Sequence, residues 1–203
     1  RLWENLVARS LGFWRHYYPR LQKTFPAQFG TVPLKRFYRA INHVSPSLIR
    51  VEADEVTYNL HILLRYQLET RLLDGSLSVA DAPEAWNARM EELIGAAPPT
   101  NREGILQDVH WSIGILGYFP TYMLGTVLAA QLYEAALRAI PNLPEEVERG
   151  NTRPLLDWLR EHVHRHGRSL FPNELVLQAT GELPGTAAYF RYLRAKFGGL
   201  YGV

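Results

Sequence analysis

Two polar clusters in this chain have residue types and spacings that could do chemistry. In the first, Arg50, Asp54, Tyr58, His61 and Arg65 follow one another at intervals of four, four, three and four. On a helix this spacing puts all five on one face. A charged line on a helix is ordinarily a solvated surface; the other reading is the wall of a groove. There the fork of Arg50 could hold a planar carboxylate bidentately, with Asp54 fixing the fork's orientation. Any enzyme that cuts at a free carboxyl terminus needs such an anchor.

The second cluster gathers Gln107, Asp108, His110, Trp111, Tyr118 and Tyr122 within sixteen residues, around the breaks at Gly114 and Gly117. Alone, His110 reads more readily as a hydrogen-bonded structural histidine than as a catalytic group. The density of amide, carboxylate, imidazole, indole and phenol is what singles the segment out, since imidazole and phenol can donate to an oxyanion forming at a scissile carbonyl. A third group, His162, His164 and His166, has i, i+4 spacing between its outer members. The sequence His162-Val163-His164-Arg165-His166 has no Glu where a two-histidine metalloprotease helix needs one, and Arg165 and Arg168 would repel a cation. No metal ligands are therefore assigned, and the segment reads as an exposed helix end.

These residues must be positioned by helices, because apolar residues recur at helical spacing almost throughout and strand-like alternation is hard to find. The fold class is all-α. Periodicity and punctuation predict helices from Leu2 to Tyr17, Leu34 to His43, Ser47 to Leu73, Pro83 to Gly95, and from Thr100 through His110. Further helices are expected from Pro120 to Ile140, Pro154 to His166, Pro172 to Thr180 and Thr186 to Phe197, with glycines as stops. No repeat or linker divides residues 1–203, which read as one all-helical segment.

A chain of 203 residues that is 47% hydrophobic can bury a sizeable core and is not disordered. Twenty-two basic against twenty acidic residues, scattered along the chain, give no footprint for nucleic acid or an anionic membrane. The absence of cysteine excludes a disulfide framework and a thiolate nucleophile, and makes a cytoplasmic location the expectation. No phosphate loop or nucleophile elbow is present. The chain starts at Arg1, not Met, so a piece of a longer polypeptide is expected.

The segments Ile49-Arg50-Val51-Glu52-Ala53-Asp54 and Gly104-Ile105-Leu106-Gln107-Asp108-Val109-His110-Trp111 resemble two signature motifs of the carboxypeptidase Taq family, Ile-Arg-x-x-Ala-Asp and Gly-x-x-Gln-Asp-x-His-Trp. Similarity continues through Arg1 to Asn5, Tyr58 to His61, Gly117 to Tyr122 and Thr180 to Glu182, spanning essentially the whole chain. The resemblance implies a helix-rich zinc metallocarboxypeptidase, typically homodimeric, that releases single residues from peptide carboxyl termini. It implies zinc in the complete enzyme, on a His-Glu-x-x-His helix and a later Glu, both absent from these 203 residues. This chain is therefore expected to be the carboxyl-terminal part, to bind no zinc and to be inactive alone. By resemblance Arg50 holds the substrate carboxylate, Asp54 supports it, and Gln107, Asp108 and His110 line the groove. His110 and Tyr122, with Tyr118 in reserve, would hydrogen-bond the transition state. The alternative is a non-catalytic helical module, derived from a peptidase scaffold, that binds peptide or protein.

Overall fold

At the start of some of the helices a nearby side chain supplies a partner for the orphaned amides of the first turn. A computed structural model describes residues 1–202, and among them every regular element is helical. Contacts divide the chain into two compact units, Arg1–Asn42 with Gly125–Val203, and His43–Leu124.

In the first unit the expected helix from Leu2 to Tyr17 is two pieces. Leu2–Val7 is a π-helical turn, and α1 starts afresh at Leu11–Thr24, because the Ser10 hydroxyl accepts the Phe13 amide and caps it. The break is held by the Trp14 indole, which donates to Ala8 O at 2.7 Å. Pro19 lies inside α1 and does not end it. The short α2 (Pro26–Phe29) follows, then α3 (Leu34–Ile41), where a helix was expected.

The second unit is built on α4 (Tyr58–Leu73) and α5 (Ala82–Ile94). Leu64 and Leu68 of α4 pack with Trp86, Met90 and Ile94 of α5, and Gly95, at φ +82°, closes α5 in the left-handed conformation that glycine takes without strain. Two expectations fail here. The helix expected over Ser47–Leu73 begins only at Tyr58, and Arg50–Glu52 is a single 3₁₀ turn. The cause is Asp54: its carboxylate accepts the Val56 and Thr57 amides and the Thr57 hydroxyl, starting a new helix instead of continuing an old one. The helix expected from Thr100 also fails to propagate. Thr100 and Glu103 do pair, but Gln107 spends its side chain across segments, donating to Leu48 O and Glu103 O and accepting the Arg50 amide. Gln107 and Asp108 thus stand on irregular backbone and His110 on a turn, ahead of a 3₁₀ turn at Trp111–Ile113.

The next helix, α6 (Pro120–Ala139), starts in the second unit and continues in the first. In the first unit the chain then forms α7 (Leu143–Glu148), α8 (Arg153–His162), α9 (Pro172–Thr180) and α10 (Ala187–Tyr201). The helix expected to reach His166 stops at His162, and His164–His166 is a separate 3₁₀ turn, so His162 and His166 do not face one way along one helix. Gly198 does not stop α10; Gly202, at φ +76°, does. Among the described residues no helix is long and apolar enough to cross a membrane.

Candidate functional site

The second unit holds all seven candidate residues. Arg50 leaves the 3₁₀ turn with its guanidinium buried, 6% exposed, and bonded along two edges. Its Nε and Nη2 donate to Asp108 Oδ1 at 3.1 and 2.7 Å, and Nη1 donates to the Tyr58 hydroxyl at 2.9 Å. A guanidinium has five N–H groups, so one on each terminal nitrogen is left over from these bonds. The fork is packed among rings, 5.1 Å from the Tyr122 centroid, 5.8 Å from Phe119 and 5.9 Å from Tyr58.

Asp108 serves a second cation. Arg65, on α4 and fully buried, donates from Nε to Asp108 Oδ2 at 2.6 Å and from Nη1 to His61 O at 2.8 Å. One carboxylate therefore bridges two guanidiniums. Burial by itself would raise the Asp108 carboxyl, but the bonds and charges of Arg50 and Arg65 outweigh it and hold it below the ordinary range. Arg65 is pushed down to about 10 by burial, with Asp108 opposing the fall. Burial and the neighbouring Arg65 and Arg50 charges push His61, which is fully buried, down to about 4, so it is a neutral core histidine at physiological pH.

Asp54, expected to support the Arg50 fork, does not touch it; its carboxylate is committed to the start of α4 and to the Ser45 amide, and Asp108 holds the fork instead. Gln107 fixes the Arg50 main chain through the 2.8 Å bond to its amide.

His110 Nε2 lies 3.1 Å from the Tyr122 hydroxyl, and its ring sits 4.5 Å from Phe119. Tyr122 and Phe119 are thus the rings that Arg50 and His110 share. Burial raises the Tyr122 phenol and the Arg50 charge only partly offsets this, so Tyr122 keeps its proton and can donate it in a hydrogen bond. Tyr118 is 45% exposed, and it meets the imidazole ring to ring, with the centroids 5.7 Å apart. Of the two phenols, Tyr122 is the one whose hydroxyl lies within hydrogen-bond distance of the imidazole.

Sequence reasoning placed Arg65 on the line but gave it no task, and it missed Glu69 altogether. Glu69 is buried on α4 and accepts the Trp111 indole N–H at 2.6 Å and the Gly117 amide. The available signal was polar residues at i, i+4 and i+8, His61, Arg65 and Glu69, beside the apolar Leu64 and Leu68.

The donors present do not suit a divalent cation. Asp108 is committed to two guanidiniums and Glu69 to two N–H groups, and the buried His110 Nδ1 is a single nitrogen without a partner. Among the described residues no three His, Asp or Glu side chains converge as a metal site, at the imidazoles of 162–166 or elsewhere.

The sequence matches the carboxypeptidase Taq (M32) metallopeptidase family over residues 1–197. It is 48% identical to thermostable carboxypeptidase 1 of Thermus thermophilus over 202 residues, covering all of this chain and 39% of that protein. It is 44% identical to carboxypeptidase 1 of Bacillus subtilis, covering 98% of this chain and 40% of that one. The crystal structure of the M32 carboxypeptidase from Deinococcus radiodurans superimposes with a TM-score of 0.97 at 48% identity, over all of this chain and 41% of that one. The chain spans about 40% of the length of these relatives, consistent with a carboxyl-terminal portion. With both motif segments folded around one buried ion triad and the match running from residue 1 to 197, the chain belongs to the carboxypeptidase Taq metallopeptidase family.

Proposed function

We propose that this chain is the carboxyl-terminal part of a zinc metallocarboxypeptidase, supplying the carboxylate anchor and transition-state donors of the peptide groove. The complete enzyme would be a cytoplasmic homodimer with its zinc on ligands outside these 203 residues, and this chain alone would be inactive. The observation that carries the reading is the Arg50 fork, pinned by Asp108 and Tyr58 and sharing a ring wall with the His110–Tyr122 pair. A buried guanidinium with one spare N–H on each terminal nitrogen can take the two oxygens of a substrate's terminal carboxylate. Asp108 and Tyr58 hold the fork before substrate arrives, so little conformational entropy is lost on binding.

Along the peptide from the anchor, His110 and Tyr122 would donate hydrogen bonds to the oxygen of the scissile carbonyl as it gains charge, the mutual bond of the resting site giving way to bonds to substrate. Their mutual bond orients both groups, and the Phe119 ring excludes water from one face of the imidazole. Among the described residues there is no donor set that fits the family's metal.

The test is a covalent chimaera joining the amino-terminal portion of the Thermus thermophilus relative to this chain, assayed with zinc for release of carboxyl-terminal amino acids. Release that depends on His110 supports the reading; a folded, zinc-loaded chimaera without peptidase activity refutes it. A second reading, a peptide-binding module without catalysis, is favoured by a hollow of about 520 Å³ whose rim exposes Leu73, Val79, Leu106 and Leu116. Peptide bound by the isolated chain with micromolar affinity and left uncleaved in the chimaera would select it.

A further inference from the structure

Glu69 is a buried carboxylate, 5% exposed, whose partners are an indole N–H and a main-chain N–H rather than a cation. Those partners, Trp111 and Gly117, bracket the turn next to His110. Inside the bracket the chain reverses: Ile115 N donates to His110 O at 2.8 Å, Gly114 N donates to Trp111 O at 3.1 Å, and Gly114 and Gly117 both take positive φ. Ile113, Ile115 and Leu116 are exposed, so the turn has little apolar packing of its own to fix it. What fixes it is the pair of hydrogen bonds to one carboxylate on the rigid α4, together with the Trp111 ring against Trp86 and Phe119, whose centroids lie 6.2 and 5.9 Å away.

We propose that Glu69 is a positioning residue for His110, clamping both sides of the turn so that the imidazole stays in register with the Tyr122 hydroxyl. The inference rests on the reading of His110 as a transition-state donor, but its geometric part stands by itself. A carboxylate suits the task because its two oxygens each accept one N–H. A glutamine of the same shape has one acceptor oxygen and an amide nitrogen that would face the second N–H. The clamp would then release one end, and a displacement on the order of 1 Å at a reacting group can cost about 10²-fold in rate.

The experiment is Glu69→Gln, read in two ways. In this chain, NMR follows the Trp111 indole, the Gly117 amide and the pH titration of His110. In the chimaera, steady-state kinetics separate kcat from KM. The expected result is loss of hydrogen-exchange protection at one of the two N–H groups, an altered His110 titration curve, and a fall of about 10²-fold in kcat with KM within about threefold. A Glu69 that is merely structural would lower the melting temperature and leave the His110 titration and kcat unchanged, which would overturn the proposal. Should Glu69→Gln not fold, Trp111→Phe removes only one donor; it should displace the His110 signals and lower kcat by about tenfold, and unchanged signals would again overturn the clamp. A chimaera whose turnover is indifferent to His110→Ala refutes the functional reading instead, and leaves the His110 titration as the test of the clamp.

Discussion

Replacing Asp108 by Asn removes the one negative charge between two buried guanidiniums while keeping the side chain's shape. In the folded chain Asp108 Oδ1 accepts two N–H bonds from Arg50, and Oδ2 accepts from Arg65 Nε and lies 2.6 Å from Arg65 Nη2. An asparagine can serve one of these cations with its oxygen, and its amide nitrogen must then face the other. Removing one partner of a buried pair costs about 3–5 kcal/mol, because a charge is left uncompensated away from water. Arg65 has no exposure and Arg50 has 6%, so solvent cannot relieve either one. For a chain of this size the loss corresponds to a fall in melting temperature of roughly 6–20 °C. Because the two compact units need not unfold together, urea titration should be paired with hydrogen exchange at the amides of α4, which belong to the affected unit.

The pH dependence carries the same logic. The Asp108 carboxyl is lower in the folded chain than in the unfolded one, so its contribution is complete above the ordinary carboxylate range and is lost only as pH falls through the lower folded value. The gap between the parent chain and Asp108→Asn should be constant from about pH 5 to 8 and close only in stronger acid. A variant within about 1 kcal/mol of the parent at neutral pH, or a gap that closes above pH 5, would refute the triad as a buried, mutually dependent unit.

His61→Gln should flatten the acid limb of the stability curve. The folded imidazole, at about 4, binds its proton less tightly than an unfolded one, so stability is complete above about pH 6.5 and declines by up to ~3 kcal/mol between there and pH 4; an unchanged slope in urea titrations would refute this. His110→Ala in the chimaera should lower kcat by about 10²–10³-fold with little change in KM, measured by amino-acid release, as for loss of an oxyanion donor. Tyr122→Phe should cost more in kcat than Tyr118→Phe, since only the first hydroxyl touches His110; the reverse order in the same assay would exchange their roles.

The sequence displays the chemistry of this site more clearly than its geometry. Arg50, Gln107, Asp108, His110 and Tyr122 are singled out by type and spacing and do come together, but the helices drawn through Arg50 and through Gln107 are not there. The i, i+4 relation of Arg50 to Asp54 looks helical, yet a carboxylate two and three residues before free amides can as easily begin a helix, and Asp54 does so. Likewise, Thr100 with Glu103 forms its local pair, but a turn of helix continues only if its main-chain ladder outcompetes other partners, and Gln107 binds Leu48 and Arg50 instead. Helices with strong local punctuation, α5 between Pro83 and Gly95 and α9 between Pro172 and Gly181, lie where the sequence predicts them. What spacing alone could not reveal was which acid serves which arginine, since Asp54 and Asp108 are alike in type and only the folded chain brings Asp108 to both Arg50 and Arg65.

The most direct measurement is the ratio of kcat/KM for a peptide with a free carboxyl terminus to that for its amidated twin, taken on the chimaera with Arg50 and on Arg50→Lys. A lysine keeps the charge but not the fork. If Arg50 holds the terminal carboxylate, the substitution should lower the ratio by about 10–100-fold, chiefly through the carboxylate-ended peptide. A ratio unchanged by Arg50→Lys, in an enzyme that still turns over, would mean that the carboxylate is held elsewhere.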